Sequence, residues 1–151
     1  MKDQCQSLRE QTVLLEEVIS ASRRRLESGL SPSCAALQED ADSVRRLSRA
    51  ILYCYAGEAD ALTCARALLA LLDGFELSRD AAVLERALEL AGALTERLPA
   101  CPLKCKLLSY CYYYTEDERC AREAGRIVEG WGDTKLDSEM QEALSCYEAL
   151  V

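Results

Sequence analysis

The sequence has 151 residues, with 18 Lys and Arg against 26 Asp and Glu, for a net charge of −8. Half of it is hydrophobic and 29% is charged, the balance of a folded globular chain rather than a disordered one. The acid excess disfavours a broad nucleic-acid surface, and the absence of histidine excludes Ser-His-Asp and Cys-His catalysis, histidine-ligated metals and a histidine pH switch.

The length suits one helical domain over residues 1–151. Its first element, within residues 1–30, is an amphipathic helix from Leu8 to Leu26, with Leu15, Val18, Ile19 and Leu26 on one side and Gly29 as its stop. Ser31-Pro32-Ser33 reads as a turn, with Ser33 placed to cap a helix that runs to Tyr55 with a break near Glu39–Asp42. After the turn at Ala56-Gly57, a short helix from Ala59 to Leu72 closes at Asp73-Gly74. Ser78 opens a long helix through Leu98, carrying Leu84, Leu88, Ala91, Leu94 and Leu98 in register, and Pro99 ends it. Pro102 starts a helix to Tyr114, Thr115 caps the next one to Glu129, and Gly130 and Gly132 break it. The last helix spans Leu136 to Leu150. No run of alternating β-branched residues points to a strand, so the expected fold is all-α, an array of antiparallel helical hairpins with about seven helices.

Nine cysteines are an odd number, and Met1 to Gln6 carries no apolar signal core. Reduced thiols in the cytoplasm are therefore expected rather than a disulfide framework. Most sit where a helix would accept Ala or Val, and a free Cys behaves as a small buried hydrophobe. The sharper alternative, a metal site from Cys101, Cys105, Cys111 and Cys120, has wide spacings and no paired knuckle, so no metal is assigned. No glycine-rich phosphate loop and no nucleophile–base pair stands out, so neither an enzyme nor a cofactor is expected. The longest apolar stretch, Ala61 to Leu72, is too short to span a membrane and carries Arg66.

The helix that begins at Leu103 is the unusual one. Leu103, Leu107, Tyr110, Cys111 and Tyr114 line one face, and Cys101, Cys105, Leu108 and Tyr112 line a second. A surface helix needs a single apolar stripe, so this one is either central in the core or lines a groove for a partner. Ala50-x-x-Tyr53-x-x-x-Gly57, and again Ser109-x-x-Tyr112 followed by Ala121, follow the small–aromatic spacing of tetratricopeptide (TPR) hairpins. Acidic residues outnumber basic ones most strongly from Glu116 onward, and Arg23 to Arg25 with Arg45, Arg46 and Arg49 are the basic clusters, expected to balance Glu16, Glu17, Glu39 and Asp42 on neighbouring turns.

Residues 45 to 150 resemble the TPR-like chaperones that hold the needle subunit of bacterial type III secretion systems. The segments that carry the resemblance are Glu58 to Arg66, Arg97 to Leu103, Leu107 to Tyr112, Cys120-Ala121-Arg122 and Met140 to Leu144. The resemblance implies a cytoplasmic chaperone that pairs with a small helical co-chaperone and grips the helical tail of a needle subunit, blocking premature polymerisation by helix-in-groove recognition. On that reading Leu108, Tyr112, Tyr53, Leu84 and Cys105 line the client groove. Leu15, Val18 and Ile19 then dock the co-chaperone, against the plainer alternative that they pack onto the array, and neither nucleic acid nor a membrane is a partner. A generic TPR-like adaptor with a different peptide client is the alternative function.

Overall fold

The computed structural model describes residues 7–151 and is all-helical, as expected from the sequence. Cys5 and the rest of the first six residues lie outside the described part. The helices are α1 (Leu8–Glu27), α2 (Ala35–Tyr55), α3 (Ala61–Asp73), α4 (Phe75–Ser78), α5 (Ala81–Thr95), α6 (Pro102–Thr115), α7 (Glu118–Trp131) and α8 (Ser138–Leu150). They form two compact units, residues 1–87 and 88–151, with the division inside α5.

Capping sets the helix boundaries. Ser7 and Glu10 form a reciprocal box at the start of α1, with both backbone–side-chain bonds at 3.1 Å. Asp60 accepts from the Thr63 backbone at 3.0 Å, Asp117 from Arg119 at 3.0 Å and Asp137 from Met140 at 2.8 Å, opening α3, α7 and α8. Several expected boundaries move. Cys34, not Ser33, is the residue before α2, and Asp117 displaces Thr115 as the cap of α7, because the Thr115 hydroxyl donates back to the Cys111 carbonyl at 2.7 Å. The long helix expected from Ser78 starts at Ala81, since Arg79 takes a left-handed backbone (φ 53°) and Asp80 then accepts from the Val83 backbone. The expected break near Glu39–Asp42 is absent. The buried stripe Leu37, Val44, Ser48 and Ile51 runs straight through it, while Asp40 pairs with Arg25 and Asp42 with Arg45.

In unit 1, α1 and α2 form a hairpin, and α3 packs along α1. Two ion pairs fix the direction of that contact. Arg66 grips Glu16 through 2.6 and 3.0 Å bonds, and Arg23 reaches Asp73 at 2.7 Å, each pair fifty residues apart in sequence. The constant separation means that α1 and α3 run parallel. The arginines thus find most of their partners across helices rather than on neighbouring turns: Arg49 donates to the buried Asp80 at 2.9 Å, a bond that holds the Asp80 carboxyl below the usual range. Leu15, Ile19, Val44, Ile51, Leu68, Leu71 and Leu72 are all buried here.

In unit 2, α7 and α8 both pack on α6. Cys105, Leu108, Ala124, Ile127 and Ala143 form its core, flanked by Cys120, Val128, Trp131 and Tyr147. Lys104 is buried at the base of α6, where its ammonium donates to the Leu98 carbonyl at 3.1 Å and pairs with Glu123 at 2.6 Å. On α5 the buried apolar residues are Val83, Ala87, Ala91 and Leu94, so Leu84 and Leu88 lie at the edge of the stripe rather than along its centre.

Two glycines test this packing in opposite directions. A Cβ at Gly74 would meet the Ala70 carbonyl and the Ile19 side chain at 3.1 Å and Val44 at 3.2 Å, whereas one at Gly92, inside α5, meets nothing within 4 Å. Gly74→Val is expected to destabilise the fold by about 1–3 kcal/mol through overpacking. Gly92→Ala is expected to stabilise it by about 0.5–1 kcal/mol through helix propensity. Urea denaturation of both variants checks the pair of signs.

Candidate protein-binding surface

The structure does not gather the residues expected to line a groove. Leu108 (2% exposed) and Cys105 (fully buried) belong to the unit 2 core and offer no surface to a client. Tyr112 is half-buried on α6, and Leu84 is half-buried in the unit 1 part of α5. Leu15 and Ile19, expected to dock a co-chaperone, are sealed inside unit 1, and Val18 beside them is half-buried. The two apolar stripes of α6 have a plain cause: the helix receives both α7 and α8, and Leu107 and Cys111 are buried with Leu108 and Cys105.

Tyr53 is the exception. It stands 86% exposed near the end of α2, the most exposed of the large hydrophobic side chains among the described residues. It lies on the rim of an open depression of about 370 Å³, lined also by Ser7, Leu8, Cys54, Gly57 and Glu58. The start of α1 and the end of α2 build this depression because the hairpin brings them together. The wall is held by the turn that follows α2. Gly57 and Glu58 donate backbone bonds to Cys54 and Tyr55 at 3.1 Å, Glu58 Oε2 accepts from the Asp60 backbone at 3.1 Å, and the Cys64 thiol donates to the Glu58 carbonyl at 3.7 Å. Two carboxylates hydrogen-bonded near the lining residues lie below their usual range, Glu10 through its bonds with Ser7 and Asp60 through its bonds with Thr63. Sequence reasoning named Tyr53 but missed Ser7, Leu8 and Glu58, which join it only through the α1–α2 pairing.

Three cysteine thiols are shifted by their surroundings. Burial pushes Cys105 up to about 11 and Cys111 to about 12, and raises Cys120 as well. Among the described residues, no group of three or more Cys, Asp or Glu side chains is arranged to hold a metal ion. No helix there is long and apolar enough to cross a membrane.

No protein-family model and no curated protein matches the sequence. The chain is similar to the solved structure of a transcription anti-terminator antagonist, UpxZ, from Bacteroides uniformis. The likeness covers 96% of this chain and 92% of that one, with a TM-score of 0.64 and 22% sequence identity. The two chains share a fold. This likeness over almost the whole of both chains overturns the resemblance to type III secretion chaperones, whose segments are generic apolar spacings that any array of helical hairpins produces. The needle subunit and the small helical co-chaperone fall with it as partners, and a generic TPR-like adaptor gains no support.

The buried thiols generate a pH prediction. A thiol whose folded value is raised keeps its proton in the native state after the unfolded chain has begun to lose it, so its stabilising effect is complete below about 9 and is lost as pH climbs toward 11 and 12. The melting temperature is expected to fall progressively above about pH 9. Cys111→Ala is expected to flatten part of that decline, as read by circular dichroism across pH 8 to 11.

Proposed function

We propose that the chain is a cytoplasmic antagonist of transcription antitermination, acting by binding a protein and not by catalysis. The observation that carries this reading is the fold shared with an anti-terminator antagonist over 96% of the chain. The surface supports it. The carboxylates Glu10, Asp60, Asp117 and Asp137 are engaged in helix capping, Cys105 and Cys111 are buried with Cys120 partly so, and an exposed tyrosine on a concave rim is the kind of anchor on which protein interfaces concentrate their affinity. A net charge of −8 adds a field that favours a basic partner surface and repels acidic competitors.

The test is terminator read-through in purified transcription reactions, with an antiterminator protein encoded in the same genome. Added chain is expected to lower antiterminator-dependent read-through along a saturable curve with an endpoint near one chain per antiterminator, and to leave basal read-through unchanged. Tyr53→Ala is expected to shift that curve by about tenfold, equivalent to about 1.4 kcal/mol of binding, with the melting temperature unaltered. Unchanged read-through at saturating chain, across the antiterminators of that genome, would refute antagonism.

A further inference from the structure

The depression at the end of α2 has a chemistry that selects its occupant. We propose that it receives an arginine side chain presented by the partner protein, the guanidinium stacking on Tyr53 and reaching the Glu58 carboxylate. This inference rests on the reading of the chain as a protein-binding antagonist and names the partner group that its surface fits.

Three observations carry it. The Tyr53 ring is 86% exposed, so its face is open to a cation, which the negative face of an aromatic ring attracts. Glu58 lines the same depression and is fixed rather than free, because its Oε2 accepts from the Asp60 backbone at 3.1 Å; an ionised carboxylate so held retains acceptor capacity for a second donor. Asp60, two residues on from Glu58 and bonded to it through its backbone N–H, adds a second carboxylate to this turn, with Arg9 as its nearby opposing charge. A purely apolar guest would cover the Glu58 carboxylate without offering it a further donor, which is costly, and an anionic guest would meet like charge at Glu58. Leu8 and Cys54 supply apolar wall for the aliphatic stem of a long cationic side chain. Arginine fits better than lysine because its planar fork can stack on the ring and bond a carboxylate at once.

The experiment uses the full chain labelled with nitrogen-15 and a blocked tripeptide with arginine between two glycines, against the same peptide carrying norleucine. The arginine peptide is expected to move the amide signals of Tyr53, Cys54, Gly57 and Glu58 along a saturable curve, with the norleucine peptide at least about fivefold weaker. Tyr53→Leu and Glu58→Gln are each expected to weaken the arginine peptide by about three- to tenfold, while Tyr53→Phe stays within about twofold. Equal binding of the two peptides, binding without shifts at these four residues, or no binding at all would overturn the assignment. The exposure of Tyr53 keeps its variants folded, and circular dichroism confirms that before titration. A chain that binds the arginine peptide here but leaves read-through unchanged retains this site and loses the antagonist reading. The reverse result leaves antagonism standing and removes the arginine.

Discussion

Everything in unit 1 depends on hiding one stripe of α1. The helix is rich in charge, yet Leu8, Leu15 and Ile19 are almost wholly buried, and together their burial contributes several kcal/mol at about 1.5–3 kcal/mol per large aliphatic side chain. That stripe can be covered only if α2 turns back along α1 and α3 follows beside it. The parallel course of α1 and α3 is then locked by Glu16 with Arg66 and Arg23 with Asp73, and Gly74 lets the end of α3 approach Ile19 and Val44 without a clash. The same hairpin brings Ser7 and Leu8 beside Tyr53 and Cys54. The depression beside Tyr53 is thus a by-product of the packing that makes the unit stable.

Unit 2 solves a similar problem with different residues. The α6 helix carries apolar side chains around most of its circumference, and it buries them by receiving α7 and α8 together. Cysteine is well suited to such a crowded seam, being small and weakly polar. The consequence for chemistry is direct: burial raises Cys105 and Cys111, and thiols so raised are poor nucleophiles at neutral pH. Lys104 follows the rule for buried charges, since it is both ion-paired and hydrogen-bonded.

The function proposed here joins two kinds of support. The shared fold with an anti-terminator antagonist spans nearly the full chain, and the molecule places its most exposed aromatic side chain on an open depression that Glu58 also lines. A fold alone does not assign a function, which lives in the surface chemistry grafted on it. On the proposed reading, the Tyr53 surface supplies that chemistry.

Periodicity, glycines and prolines determined the class and most of the helices. The stripe through Leu15 and Ile19, the proline at 102 and the glycines at 57 and 74 are local signals, and local hydrogen bonding obeys them. Boundaries were less legible where two capping residues compete, as Thr115 does with Asp117, because the winner depends on which carbonyl lies within reach. The sequence also could not separate a groove helix from a core helix. Leu108 and Tyr112 share an apolar face, but only the docking of α7 and α8 buries the first and leaves the second partly in water. The depression beside Tyr53 was invisible for the same reason. Local patterns specify the elements, whereas which side chains meet solvent is decided by contacts between residues far apart in the chain.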